Sequence, residues 1–201
     1  MNFDNNLAAV HAYLCADGYV IKNPPTQQHK YYHIGFRNTN LVLLCDFQKK
    51  FNNYFGVKPI LIPGERCRKQ SKELFLKLTR EYSYYSYEWK MPLLTEEKLK
   101  YWLRAFFDCE AWVECQKRKS RLIGLECVNE KGINQIKLAL LSLGINSTIQ
   151  KRRTRKIFRL CICGLDNLEK FKRKIGFLHP KKRKALNNAL NSYTTIYRGK
   201  R

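Results

Sequence analysis

Two nine-residue stretches decide the fold: VHAYLCADG, Val10–Gly18, and LRAFFDCEA, Leu103–Ala111. Each opens on an apolar residue, places small residues third and seventh, and has an acid eighth. Positions three and seven lie four apart, on one face of a helix. Ala12 and Ala16 thus form one small face, and Ala105 and Cys109 another; such faces let two helices approach more closely than Leu or Phe would permit. If these helices pack through them, Asp17 and Glu110 arrive together at one end of the pair. A helix C-terminus disfavours carboxylates, and two adjacent carboxylates resist joint ionisation unless a cation lies between them. A hard divalent ion with oxygen ligands, Mg²⁺ first, suits such a pair. The competing reading makes both acids exposed residues at helix ends. Asp108 is matched by Cys15 in the other stretch, so it reads as structural, with Arg104 four residues earlier as its candidate partner.

Working outward, the same order of elements surrounds each stretch. Asn5 to Asp17 reads as a helix capped by Asp4. Tyr19 to Asn23 and Tyr31 to Asn38 alternate like a hairpin, and Thr39 to Phe55 is a helix stopped by Gly56. VKPILIP is a strand, GERCRK a tight basic turn, and Ser71 to Tyr82 a helix. The aromatic, irregular segment SYYSYEWKMP separates the halves. Then Thr95 caps a helix running to Glu110, AWVECQKR and RLIGLECVN are strands, and Gly132 to Leu143 is a helix ending at Gly144. STIQKRRT and KIFRLCIC are strands, Asp166 to Lys174 a helix, and Pro180 to Tyr193 a last basic helix. Asn38 and Asn129 both sit where a second strand gives way to a helix. The repetition predicts an internal duplication: an α+β protein of two αββαββα units, each with a four-stranded antiparallel sheet, joined through the two-helix interface. The units are 1–84 and 95–201, with 85–94 as linker.

The charge names the class of partner. Among 201 residues, 39 Lys and Arg stand against 16 Asp and Glu, a formal net charge of +23. Such an excess repels itself in the compact state and points to a polyanion, nucleic acid before an anionic membrane. No apolar run approaches the roughly 18 residues that would span a bilayer, and the polar start MNFDNN does not read as a signal peptide, so an intracellular protein is expected. The eight cysteines form no CxxC pair and read as reduced core residues rather than zinc ligands. The four histidines, His11, His29, His33 and His179, show no metal-site spacing.

With these features in place, the two stretches resemble the paired motifs of the LAGLIDADG homing endonucleases in their single-chain, two-motif, intron-encoded form. The resemblance extends over nearly the whole chain and implies a DNA-binding saddle built from the two sheets. It implies a monomeric, Mg²⁺-dependent endonuclease that hydrolyses both strands of a long asymmetric duplex. By position, Asp17 and Glu110 match the catalytic, metal-binding acids, and Ala16 and Cys109 match positions whose backbone carbonyls help hold the metal. Gly18 keeps the ninth position, whereas Ala111 departs from it, which matters only if that backbone is at positive φ. The supporting basic and polar residues are implied near Arg37, Asn38, Asn129 and Lys131. An intron maturase on the same fold, binding RNA with or without cleavage, is the alternative, and a DNA-binding regulator a third.

Period-two alternation gives each sheet an outward face, and a two-stranded ribbon fits the major groove, where Arg and Lys read guanine and Gln or Asn reads adenine. Arg66, Arg68 and Lys69 in the first half, and Gln150, Lys151, Arg152, Arg153, Arg155, Lys156 and Arg159 in the second, are the expected DNA contacts. Gln27, Gln28 and Gln116 are further candidate readers, and most of the basic residues should hold phosphates. The basic C-terminal segment either adds phosphate contacts or solvates the end.

Overall fold

The structure, a computed structural model, describes residues 1–116, 120–152 and 156–198, with side chains described as far as residue 193. Arg153 and Arg155 lie outside the described residues. The elements run α1 (Asn5–Cys15), β1 (Gly18–Lys22), β2 (Tyr32–Arg37), α2 (Leu41–Phe55), β3 (Ile60–Ile62), β4 (Arg66–Gln70) and α3 (Lys72–Thr79). The order then restarts with α4 (Glu96–Glu110), β5 (Ala111–Cys115), β6 (Arg121–Cys127), α5 (Glu130–Ser142), β7 (Thr148–Lys151), β8 (Phe158–Cys163) and α6 (Leu165–Lys174), and α7 (Pro180–Arg198) closes it. Two antiparallel four-stranded sheets, ordered β1-β2-β4-β3 and β5-β6-β8-β7, repeat one topology. The expected α+β duplication is therefore present.

Local chemistry sets the helix ends. The Asp4 carboxylate accepts the Leu7 amide at 2.7 Å at the start of α1, satisfying one of the amides a helix start leaves free. Asn40 caps α2 through Val42, and Gly56, at φ 66°, ends it in the left-handed region, where a side chain would be strained. One element differs from expectation. GERCRK is only in part a turn: the chain reverses at 63–65, through Gly64 and Glu65, and RCRKQ is strand β4, pairing with both β2 and β3. Its alternation is hard to see because Cys67 alone supplies the apolar face, and Cys67 is fully buried.

α1 and α4 pack along their lengths and form the seam between halves. They run parallel. Near their starts Asn5 donates to Glu97 at 2.7 Å, midway the Trp102 indole N–H donates to His11 Nδ1 at 3.1 Å, and their far ends carry Asp17 and Glu110. Ala8, Ala9, Ala12 and Ala105 are buried in this seam, as close approach requires. The separating segment is irregular, as expected, yet anchored. Trp89 is buried against Trp102 and Phe106, with ring centroids 5.9 and 5.0 Å apart, and such pairs add about 0.5–1.5 kcal/mol beyond area burial. Among the described residues no helix is long and apolar enough to cross a membrane.

Candidate active site and nucleic-acid face

The two helix ends differ in detail. α4 continues to Glu110 and passes directly into β5 at Ala111, whose φ of −87° and ψ of 156° suit any residue. α1 stops at Cys15, so Asp17 lies in the turn that follows. That turn folds Gly18 onto the helix: a Cβ there would stand 2.4 Å from Leu14 Cα. Glycine at the ninth position thus answers a close approach in the first half, and its absence from the second costs nothing.

Asp17 is held in place. Asn38 Nδ2 donates to Asp17 Oδ2 at 3.0 Å, the Asp17 carbonyl accepts the Arg37 amide at 3.1 Å, and Asn38 Oδ1 accepts from the Asn40 amide. Glu110 is half-buried, and burial followed by the negative charge of Asp17 pushes its carboxyl up to about 7, with Lys182 pulling the other way. The two acids therefore feel each other's charge, and the pair lacks a full complement of positive charge. Hard oxygen donors at the negative ends of two helices fit a divalent ion of the Mg²⁺ class. Among the described residues no cluster of three or more His, Cys, Asp or Glu side chains forms a metal cage, so backbone or phosphate oxygens would complete the coordination. The Cys109 carbonyl already accepts the Lys182 ammonium at 3.0 Å.

Lys182 is the neighbour that sequence reasoning missed. Its three N–H donors reach the carbonyls of Phe107 at 3.3 Å, Asp108 at 2.6 Å and Cys109, capping α4 with a cation at its negative end. Nothing in the KKRK run singles it out; only the tertiary fold does. Asp108 is structural as expected, but with other partners. Its carboxylate accepts the Leu178 and His179 amides at 3.0 and 2.9 Å, fixing the approach to α7, while Arg104 donates to the Ile175 carbonyl instead.

Strand register corrects the pairing of the two asparagines. Phe36 and Leu125 occupy equivalent ladder positions, opposite Gly18 and Ala111. Arg37 therefore corresponds to Glu126, Asn38 to Cys127, and Asn40 to Asn129. Asn129 is a helix cap: buried, it accepts the Gly132 amide and donates to the Trp89 carbonyl. The Lys131 side chain is exposed in the first turn of α5. Neither makes a hydrogen bond or ion pair with a carboxylate of the pair. The true counterpart of Asn38 is Cys127, which lines a cavity of about 200 Å³ together with Glu110, Ala16 and Glu126.

Register also sorts the expected DNA contacts, because residues paired across a ladder project from one face. Arg66 pairs with Arg37 and Arg68 with Gly35, away from the buried Ile34 and Phe36, so Arg37, Arg66 and Arg68 share the outer face. Lys69 pairs with Ile34 and points to the helix side. In the second sheet, Gln150 and Arg159 share the outer face with Glu126. Lys151 pairs with Phe158 on the helix side and lies 5.4 Å from its ring. Arg152 ion-pairs with Glu126 at 2.9 Å. Gln27 and Gln28 are exposed in the β1–β2 loop and Gln116 is exposed just beyond β5; Lys156 is exposed between β7 and β8.

Comparison with known proteins agrees with this architecture. Residues 97–176 match the family described as LAGLIDADG-like domain. The crystal structure of I-DmoI in complex with DNA and Mn superposes with a TM-score of 0.64 at 14% identity, over 86% of this chain and 96% of that one. The homing endonuclease I-WcaI bound to its DNA recognition sequence gives 0.59 at 14% identity, over 90% and 85%. A curated protein, the replication factor C small subunit of Thermococcus kodakarensis, is 33% identical over 88 residues; these are 43% of this chain but only 10% of that protein's length. Residues 97–176 thus match a LAGLIDADG-like domain, and the chain as a whole has the fold of these two-unit structures.

Proposed function

We propose that the chain is a site-specific, divalent-metal-dependent DNA endonuclease, with Asp17 and Glu110 as its catalytic acids. The observation that carries this reading is the acid pair itself: two carboxylates from two halves, brought to one end of the α1–α4 seam, one of them pushed up to about 7 by burial and by the other. A bound ion of the Mg²⁺ class would activate water and stabilise the leaving oxygen of a phosphodiester. The protein's part is orientation. Asn38 fixes the Asp17 carboxylate, the last turn of α4 presents Glu110, and the Lys182 ammonium tempers the negative field at that helix end. Arg37, Arg66, Arg68, Arg159 and Gln150 supply the outer faces of two sheets, suited to phosphates and major-groove edges. The relatives bound to DNA and Mn support the same substrate and ion class. Two unequal halves suit an asymmetric duplex read by a monomer.

The test is cleavage of a plasmid library carrying random inserts, incubated with the purified chain and Mg²⁺, followed by sequencing of the new ends. Double-strand ends recurring at one sequence are expected. Tight RNA binding with no recurrent DNA end would favour the maturase alternative instead.

A further inference from the structure

The outer faces of the two sheets carry matched aromatic platforms with different arginines. In the first sheet Tyr19 lies across Gly35, where a Cβ would stand 2.4 Å from its ring, and Arg37 stacks on it at 5.3 Å. In the second sheet Trp112 lies across Gly124, where a Cβ would stand 2.3 Å from its ring, and Arg159 stacks on it at 5.2 Å. The difference lies one ladder position away. Where the first sheet has Arg37 opposite Arg66, the second has Glu126 opposite Arg159. Glu126 Oε1 accepts Arg159 Nε at 3.0 Å and Nη2 at 2.9 Å, and accepts Arg152 as well.

A guanidinium has five N–H donors in a fixed plane. Glu126 takes the edge formed by Nε and Nη2, and the guanidinium carbon lies over the Trp112 ring. The free edge, one N–H from Nη1 and one from Nη2, keeps the fork geometry that matches guanine O6 and N7. Because the carboxylate and the ring have already ordered the side chain, little rotamer entropy is left to lose on binding. Arg37, whose neighbour across the ladder is a second arginine, lies over the Tyr19 ring with no carboxylate ion pair among the described residues.

We propose that Arg159, positioned by Glu126 and Trp112, is a specificity-determining residue that reads one guanine in the half of the duplex covered by the second sheet. This rests on the reading of the chain as a DNA-binding endonuclease. Arg37 and Arg66, in the equivalent places of the first sheet, serve the phosphates or read bases more permissively.

The test is selection of bound duplexes from a randomised pool in Ca²⁺, with cleavage playing no part, for wild type, Arg159→Ala, Arg159→Lys and Glu126→Gln. Wild type should show one strongly preferred guanine that Arg159→Ala loses at that position alone, with discrimination there falling about tenfold to a hundredfold. Arg159→Lys keeps the charge but not the fork, and should lose the preference too. Glu126→Gln should weaken it while leaving the other positions unchanged. If Arg159→Ala retains the wild-type profile, or lowers binding equally to all sequences as a phosphate contact would, the proposal is wrong while the nuclease reading stands. If wild type selects no sequence at all, both fall.

Discussion

Glu110 carries a stability cost that can be measured without DNA. Its carboxyl is raised from an ordinary 4.5 to about 7, first by burial and then by the charge of Asp17. A folded-state value above the unfolded one means that the fold binds the proton more tightly. The stabilisation is complete below about pH 4.5 and is lost as pH rises through about 7. At roughly 1.4 kcal/mol per factor of ten, discounted for the part of the side chain that reaches solvent, ionised Glu110 costs the metal-free fold about 2–3 kcal/mol at pH 8. Replacing Glu110 with Gln removes that cost, so the variant should be the more stable protein at pH 8, by roughly 4–12 °C in Tm for a chain of this size. The assay is thermal unfolding by circular dichroism in EDTA at pH 5 and pH 8. The advantage of Glu110→Gln should be large at pH 8 and mostly gone at pH 5. An equal gain at both pH values, or none at pH 8, would refute the electrostatic account of the pair.

Other substitutions test other joints of the structure. Asp108→Ala leaves the Leu178 and His179 amides without their acceptor and should cost about 2–4 kcal/mol in denaturant unfolding; a loss below 1 would show that water replaces the cap. Trp102→Phe removes the donor to buried His11 at the seam and should cost about 1–2 kcal/mol, measured the same way. Arg68 and Lys69 are adjacent but on opposite faces. Arg68→Ala should therefore reduce the salt dependence of DNA binding by about 0.9 in the log–log slope, whereas Lys69→Ala should leave it unchanged; equal effects would mean that the faces are misassigned.

Much of this architecture was legible because the signals were local or repeated. Caps such as Asp4 and Gly56, the alternation of β1 and β2, and the matched stretches around Asp17 and Glu110 each carry their meaning within a few residues. β4 was hidden because its apolar face is the single residue Cys67 among Arg and Lys. Asn38 and Asn129 look equivalent in sequence yet lie two residues out of register, since a strand end and a helix cap look alike until the ladder fixes the count. Lys69 and Lys151 cluster with the outer arginines in sequence yet face the helices, because clustering shows charge and only pairing shows the face. Lys182 could not be found at all, because its meaning depends on α7 folding back onto carbonyls more than 70 residues earlier.

On the proposed reading, Asp17 and Glu110 form a cleavage site for DNA phosphodiesters. The most direct measurement compares Asp17→Asn and Glu110→Gln with wild type on the duplex recovered from the cleavage selection, scoring cleavage in Mg²⁺ and binding in Ca²⁺. Both variants should lose double-strand cleavage while binding within about threefold of wild type, since phosphate contacts dominate affinity. A variant that still cuts both strands at the wild-type rate would contradict the account.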